Sequence, residues 1–265
     1  MPVASERYSH FYDKRGWSTA YSFWHKIIDR GEKQVKILSS NIRELNKSNV
    51  RILDVGCGEG DELYTALSLL PQQQVAITAN DTSLEALQKY QQRFGTKVRK
   101  SIAAPLEKLA EHLDVGGYDL ILLSHCLYGI KDVAPLLQKY LEHLSNNGIL
   151  CIFQDAGDSD LTSVQKTFWP QIHGVTFDET RSDDIMHQLH LANVHYQSQN
   201  FPYTIDLRKL ELMHPNGIAE LFLPFALRVE KISSKELPQI EAFLSRLAPD
   251  QQLHNWFSSI ILRKP

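Results

Sequence analysis

Three glycines at alternate positions follow a short apolar run in the first quarter of the chain. The run is VRILDV (residues 50–55), and Gly56, Gly58 and Gly60 come directly after it. The next segment, DELYTALSLL (61–70), has the spacing of an amphipathic helix. Closely spaced glycines between a strand and a helix let the backbone approach a ligand. This feature favours folds in which a buried strand ends at a binding loop.

Short apolar runs and longer amphipathic runs alternate up to about residue 155. We expect strands at 50–55, 74–80, 97–103, 118–125 and 149–155, and helices at 61–70, 83–95, 106–113 and 132–148. Such an alternation predicts an α/β, doubly wound, mostly parallel sheet with helices on both faces. After residue 155 we expect helices at 161–169, 182–194, 216–228 and 234–247, and strands at 195–205 and 255–264.

The composition is that of an ordinary globular protein. The 265 residues are 43% hydrophobic and 22% charged, with a net charge of −3. This charge implies no attraction to nucleic acid or to an anionic membrane, and no apolar run approaches the roughly 20 residues that span a bilayer. Residues 1–17 lack the apolar core of a signal peptide. Cys57, Cys126 and Cys151 form no CxxC pair, so we expect reduced thiols, a cytoplasmic location and no metal site.

The residues around the glycines distinguish three kinds of nucleotide loop. A P-loop has Lys and then Ser or Thr after its last glycine, whereas Asp61 and Glu62 stand here. A dinucleotide loop has its third glycine at the position of Asp61, and a pyrophosphate would be repelled by Glu59 and Asp61. A cationic nucleoside without phosphates, such as S-adenosylmethionine, fits better. The alternative is a tight strand-to-helix turn without a ligand.

A second acid ends the next expected strand. Asp81 lies 21 residues after Gly60. In dinucleotide-binding folds a carboxylate at this point accepts hydrogen bonds from the ribose hydroxyls. The alternative is a helix cap, in which Asp81 or Thr82 begins the following helix. The two roles are compatible.

The segment LDVGCGEG (53–60) resembles the first motif of class I S-adenosylmethionine-dependent methyltransferases. The resemblance implies a Rossmann-like sheet whose last strand is antiparallel. It implies that S-adenosylmethionine is the cofactor, that Asp54 helps to bind its amino group, and that Asp81 binds its ribose. The glycines at 56, 58 and 60 would line the cofactor.

The resemblance also suggests where the rest of the cofactor lies. The family often holds the adenine with an acid directly after the third strand, but here the first acid after the expected strand 97–103 is Glu107. We therefore expect Ser101 and backbone groups near Ile102 to replace that acid. Ser124, at the end of the fourth strand, would lie near the methyl group.

A longer segment, SHCLYGIKDVAPLLQKYLEHLSNNGILCI (124–152), resembles histamine N-methyltransferases, together with the aromatic-rich N-terminus and the ending NWFSSIIL. This resemblance implies a small-molecule acceptor that is methylated on the nitrogen of an amine or imidazole compound. His125 and Tyr128 are the expected catalytic residues. The expected acceptor-binding residues are Phe11, Trp17, His125, Tyr128, Trp169 and Asn255. Each also has a structural alternative, as a core aromatic, a buried histidine, a helix-end plug or a strand cap.

The expected reaction is an in-line displacement in which a neutral nitrogen attacks the methyl carbon. His125 would accept a proton or orient the acceptor. Two alternatives are an oxygen or carboxyl methyltransferase, with His125 as general base, and a cofactor-binding protein without catalysis. We expect a helical lid at 1–48, a cofactor-binding core at 49–155 and substrate-binding elements at 156–265. We also expect a monomer or weak dimer without nucleic-acid or membrane partners.

Overall fold

Seven strands form one sheet in the computed structural model, which describes residues 23–264. The strands are β1 (Asn49–Val55), β2 (Gln74–Asp81), β3 (Val98–Ala103), β4 (Tyr118–Ser124), β5 (Leu144–Asp155), β6 (Gln197–Asp206) and β7 (Gln252–Arg263). Their order is β3-β2-β1-β4-β5-β7-β6. Strands β1 to β5 pair in parallel, and β7 is antiparallel to both β5 and β6. The predicted fold class, including the antiparallel last strand, is confirmed.

Helices cover both faces of this sheet. They are α1 (Arg30–Glu44), α2 (Asp61–Ser68), α3 (Leu84–Phe94), α4 (Leu106–Leu109), α5 (Val133–His143), α6 (Asp160–His173), α7 (Ser182–Leu191), α8 (Leu207–Met213), α9 (Leu223–Leu227) and α10 (Leu237–Leu247). Residues 23–27 are also helical. Neighbouring residues of β1 belong to different hydrophobic clusters, Ile52 to one and Leu53 to the other. Because side chains alternate across a strand, each face of the sheet has its own core.

The largest difference from the expected boundaries lies between α5 and β5. The sequence predicts a helix up to residue 148, but α5 ends at His143 and Leu144 already pairs with Tyr118. The register then shifts, because Leu120 pairs with Ile149. Asn147 in this segment has a φ of 63°. The Asn-Asn-Gly sequence therefore marks a bulge in β5 rather than the end of a helix.

The topology brings polar residues from distant parts of the chain to one edge of the sheet. The parallel strands β1, β2, β4 and β5 all end there, at Val55, Asp81, Ser124 and Asp155 respectively. Ligands of open α/β sheets bind outside the carboxyl ends of the strands. Within residues 23–264, none of the helices has the length and apolarity needed to cross a bilayer.

Candidate functional site

The glycine loop after β1 is shaped by its neighbours. A Cβ on Gly56 would lie 2.5 Å from the Cβ of Cys126, and one on Gly60 would lie 2.5 Å from the ring of Tyr90. Gly58 has a φ of 52°, and a Cβ there would meet no atom within 4 Å. All three glycines have a positive φ, but Gly56 and Gly60 also allow close packing, whereas Gly58 faces open space in a cavity.

Two acids of this loop are balanced by the helix beside it. Glu59 forms an ion pair with Lys89 at 2.9 Å, and Asp61 forms one with Arg93. Both basic residues belong to α3. The charges of Glu59 and Asp61 therefore face cations of the protein itself, and they do not by themselves select a cationic ligand.

A third acid, Asp54, faces the inside of the loop. It lines a cavity of about 30 Å³ together with Glu62, Arg30 and His125. The Tyr90 hydroxyl donates a 2.8 Å hydrogen bond to Asp54 Oδ2. Burial raises the pKa of Asp54 to about 8; the hydrogen bond opposes this rise, and the charges of Glu62 and Asp81 add to it. A positively charged ligand group here would relieve the repulsion among these carboxylates.

Asp81 connects the glycine loop to the start of α3. Its Oδ2 accepts a hydrogen bond from the backbone N–H of Gly58, and its Oδ1 accepts one from Ser83, both at 2.9 Å. Ser83 is the residue that caps α3, because its hydroxyl accepts from the N–H of Ala86. A carboxylate has about four acceptor positions, and Asp81 also lines the cavity.

The cavity wall beyond Asp81 requires a correction to the expected adenine site. Ser101 is exposed on β3 and Ile102 is buried in the core, and neither lines the cavity. The carbonyl of Ile102 accepts a hydrogen bond from the side chain of Asn80 at 3.0 Å. The cavity edge begins only after β3 ends, where it is formed by residues 105–107.

The main cavity, of about 250 Å³, extends past Ser124 to a buried carboxylate at the end of β5. Asp155 accepts hydrogen bonds from Tyr128 at 2.7 Å, from Tyr203 at 3.0 Å and from Arg30 at 3.1 Å. Burial works against its ionisation. The interactions with His125, Arg30 and Arg181 outweigh burial and hold the pKa of Asp155 below its ordinary value. Asp155 is therefore the ionised centre of this cluster.

His125 follows β4 in a backbone conformation that is rare for a non-glycine residue, with a φ of 53°. Its Nδ1 lies 3.0 Å from the Tyr128 hydroxyl and its Nε2 lies 2.7 Å from Gln34 Nε2. The Tyr128 hydroxyl donates a hydrogen bond to Asp155, so its oxygen accepts one from the Nδ1–H of His125. The other ring nitrogen, Nε2, then accepts a hydrogen bond from the Gln34 side chain. Burial, reinforced by Arg30, lowers the pKa of His125 to about 3, so the imidazole is neutral at neutral pH.

Asn255 has a structural role in place of the expected contact with the acceptor. Its Oδ1 accepts from the N–H of Leu161 at 2.9 Å, and its Nδ2 donates to the carbonyl of Leu253 at 2.9 Å. The side chain is buried and does not line the cavity. It satisfies a backbone donor in the first turn of α6.

Trp169 also lies away from the cavity. It packs against His173 and Phe177, with ring centroids 4.2 and 5.3 Å away. The cavity-lining residues of α6 are Leu161 and Gln165, about one turn apart. Trp169 lies a further turn along α6, past the end of the cavity.

One cavity residue belongs to the aromatic-rich N-terminus noted in the sequence, and several charged ones have no sequence motif. Trp24 lines the cavity and stacks on Phe225 with a centroid distance of 4.6 Å. The others are charged residues from distant segments: Arg30, Glu179, Arg181 and Arg228. No motif or periodicity marks them, because only the tertiary fold brings them together. Phe11 and Trp17, which the sequence places in the acceptor site, lie outside the described residues.

The donors and acceptors around the loop fit a cationic nucleoside such as S-adenosylmethionine. Burial raises the pKa of Asp54, and the charges of Glu62 and Asp81 raise it further. A positive ligand group would stabilise the ionised carboxylate against these effects. Asp81 presents a carboxylate, which accepts hydrogen bonds from hydroxyl groups, at the cavity wall, and a Cβ on neighbouring Gly58 would meet open space. In the described part of the chain, no cluster of His, Cys, Asp or Glu could hold a metal ion.

Comparisons with known proteins agree with this geometry. A family model described as a methyltransferase domain matches residues 23–227. The chain is 19% identical to the plantazolicin methyltransferase BpumL, solved in complex with SAH, over 99% of this chain and 96% of that one, with a TM-score of 0.56. It is 18% identical to phosphoethanolamine N-methyltransferase 2 of Haemonchus contortus, over 85% of this chain and 52% of that one, with a TM-score of 0.54.

A curated relative matches a shorter stretch. The chain is 26% identical over 109 residues to a non-reducing polyketide synthase of Aspergillus calidoustus. This match covers 40% of the chain and 4% of the synthase, so the chain spans only a small part of that relative. The family model establishes the methyltransferase domain family, the solved structures share the fold, and the narrower resemblance to histamine N-methyltransferases stays a prediction.

Proposed function

This chain belongs to the methyltransferase domain family and is an S-adenosylmethionine-dependent methyltransferase, and from this premise we propose that it methylates a nitrogen of a small-molecule amine or imidazole compound. The acceptor would enter the main cavity next to Ser124, His125 and Tyr128. The observation that carries the choice of nitrogen is that both ring nitrogens of the buried His125 are engaged, Nδ1 with Tyr128 and Nε2 with Gln34, and that burial lowers its pKa.

We place the cofactor along the ends of β1, β2 and β4. Asp81 would accept from the ribose hydroxyls, and residues 105–107 would flank the adenine. Asp54 and Glu62 would face the amino group in the smaller cavity, where Arg30 would face the carboxylate. The raised pKa of Asp54 supports this arrangement, because an ammonium group favours the ionised carboxylate.

The cofactor supplies a methyl group on a cationic sulfur, which leaves as a neutral thioether without help from an acid. The acceptor nitrogen uses its lone pair to form the new N–C bond while the C–S electron pair passes to sulfur. An aliphatic amine is an ammonium ion at neutral pH, so it first loses one proton to solvent, and its methylated product is again an ammonium ion. A neutral imidazole attacks directly, and its product releases the ring N–H proton to solvent. The protein has to exclude water and hold the nitrogen in line with the C–S bond.

The state of His125 favours a nitrogen acceptor over an oxygen acceptor. A hydroxyl or phenol needs a base that takes its proton as it reacts, and a base works best with a pKa near the working pH. The pKa of His125 is about 3, far below that range. A neutral imidazole, or an amine that has lost its proton to solvent before it binds, attacks with a free lone pair and needs no base in the attack itself, so His125 would orient the acceptor through the network with Tyr128 and Asp155. An oxygen acceptor is the second candidate, because the same network of His125, Tyr128 and Asp155 would also orient a hydroxyl group.

The test is methyl transfer from labelled S-adenosylmethionine to panels of small amines, imidazoles, alcohols and phenols. We expect transfer to members of the nitrogen panel and little to the oxygen panel. Transfer confined to the oxygen panel would contradict the proposed acceptor. Cofactor binding without transfer to either panel would favour a non-catalytic role.

A variant distinguishes orientation from base catalysis. Asn tolerates a positive φ, so His125→Asn keeps the backbone of the strand end. We expect kcat/KM to fall by about tenfold through loss of orientation, with an unchanged shape of the pH–rate profile between about pH 6 and pH 9. If the wild-type profile has an inflection in this range that the variant lacks, His125 is a base and the nitrogen assignment loses its support.

A further inference from the structure

The guanidinium of Arg181 is buried and lines the main cavity, and the proposed methyl transfer gives it no contact with the reacting atoms. Arg181 is 4% exposed. Its Cζ lies 5.3 Å from the ring centroid of Tyr128 and 5.1 Å from that of Phe177. The aromatic rings hold the planar guanidinium in place, as is usual for arginine at recognition sites.

The hydrogen bonds of Arg181 leave much of its guanidinium unused. Nη2 donates to Gln165 Oε1 and to Glu179 Oε2, the latter at 3.0 Å. Nε is buried and has no hydrogen-bond partner. Nη1 lies 3.9 Å from Asp155 Oδ2, which is beyond hydrogen-bond distance. Among the residues that the structure describes, Nη1 makes no hydrogen bond shorter than this contact, so it is the donor that a ligand acceptor would engage.

A second arginine lies on the same wall. Arg228 is 8% exposed and lines the cavity, and its Cζ is 6.0 Å from the centroid of the same Tyr128 ring. Its Nε lies 3.5 Å from Glu179 Oε1, so Glu179 interacts with both guanidiniums. Arg228 also has a φ of 54°, in the left-handed region. This conformation ends α9, as αL residues commonly do at helix termini, and it directs the chain out of the helix beside the cavity.

We propose that Arg181, with Arg228 beside it, binds an acidic group of the methyl acceptor, so that the acceptor is a small amino acid or a small phosphorylated amine rather than a simple amine. This proposal rests on the proposed function. Nη2 is occupied by Gln165 and Glu179, so a carboxylate or phosphate oxygen would accept a single charge-assisted hydrogen bond from Nη1. Tyr128 contacts both residues, His125 through its hydroxyl at 3.0 Å and Arg181 over the face of its ring at 5.3 Å from the centroid. The acceptor would lie along this ring, with its nitrogen towards His125 and its acid towards Arg181.

Matched acceptors test the proposal through activity. β-Alanine and phosphoethanolamine are compared with ethylamine and ethanolamine, which present a similar amine without the acid. We expect kcat/KM to be at least tenfold higher for an acidic member than for its neutral partner, and the better acid distinguishes carboxylate from phosphate. Equal or better use of the neutral partners would overturn the proposal.

Arginine variants assign the effect to this residue. Arg181→Gln should raise the KM of the acidic acceptor by at least tenfold and leave cofactor affinity unchanged, and Arg181→Lys should recover part of the loss. Arg246→Gln, which removes an exposed arginine of α10, is the matched control. An Arg181→Gln protein that binds cofactor normally and keeps the wild-type KM for the acid would overturn the proposal.

A binding experiment separates this proposal from the proposed function. Wild-type protein saturated with S-adenosylhomocysteine is titrated with acetate and with inorganic phosphate in a calorimeter. We expect one of them to bind wild type and Arg246→Gln but not Arg181→Gln. Anion binding without methyl transfer would count against the proposed function alone. Absence of binding by both anions, or equal binding by the Arg181→Gln variant, would overturn the anion site.

Discussion

At the scale of single residues, the acids around the glycine loop have different roles. Lys89 and Arg93 balance Glu59 and Asp61, whereas Asp54 has a pKa of about 8 in the cofactor-free protein. At pH 7 Asp54 is therefore mainly protonated. If it binds the cofactor's ammonium group, it must ionise, so binding should release up to about one proton. Cofactor affinity should then rise with pH from about 6 to about 8.

Calorimetry in two buffers of different ionisation enthalpy measures this proton release. We expect the observed heat of S-adenosylmethionine binding at pH 7 to depend on the buffer for wild type and for Asp114→Asn, which alters an exposed acid. The Asp54→Asn variant should lose this dependence and bind more weakly. A buffer-independent heat for wild type would exclude Asp54 as the group that ionises on binding.

The raised pKa of Asp54 also makes the free energy of unfolding depend on pH. The unfolded chain releases the Asp54 proton near pH 4, whereas the folded, cofactor-free protein keeps it up to about pH 8. The folded state thus binds more protons in this window. The contribution of Asp54 to the free energy of unfolding therefore decreases as the pH rises from about 4 to about 8.

At the scale of the elements, β7 supports the cavity through the start of α6. Asn255 of β7 accepts the N–H of Leu161, and Leu161 and Gln165 of α6 line the cavity. Replacement of Asn255 by Ala removes this acceptor and leaves a donor of the first turn without a partner. We expect Asn255→Ala to lower the free energy of unfolding by about 1–2 kcal/mol, the usual cost of losing a helix cap.

Urea unfolding of the cofactor-free protein measures the effect. Ser245→Ala, which removes an exposed hydroxyl on α10, is the control and should change stability little. Unchanged stability of Asn255→Ala together with a raised acceptor KM would restore the acceptor contact inferred from the sequence. The predicted result is the reverse, a stability loss larger than the change in KM.

At the scale of the whole molecule, the sheet follows from local patterns in the sequence. Apolar runs such as 50–55 and 118–125 alternate with amphipathic helices, and this order requires parallel strands with their ends at one edge. The loop at 56–60 and Asp81 lie at the ends of neighbouring strands, so their proximity follows from the same order. These parts of the site are predictable because each depends on a short stretch of chain and on the strand order.

The acceptor side depends on contacts between distant segments, and the sequence does not reveal them. Asn255 bonds to a residue 94 positions earlier, and Arg30 bonds to Asp155 across 125 positions. A polar residue at the start of a strand has the same local pattern whether it caps a helix or contacts a ligand. Arg181 likewise lies in an unremarkable polar segment, and only the fold brings it against Tyr128.

The central claim is that the cavity beside the glycine loop binds S-adenosylmethionine through Asp81. Because Asp81 also holds the backbone of Gly58 and Ser83, a simple loss of affinity in Asp81→Ala could arise from a loosened loop. The most direct measurement is therefore a calorimetric comparison of wild type and Asp81→Ala, each titrated with S-adenosylhomocysteine and with its 2′,3′-dideoxy analogue. We expect the variant to lose about 1.5–3 kcal/mol of binding free energy for the hydroxylated ligand and much less for the dideoxy ligand. Equal losses for the two ligands, or unchanged affinity in the folded variant, would contradict the ribose assignment, and tighter binding of NAD than of S-adenosylmethionine by wild type would contradict the whole account.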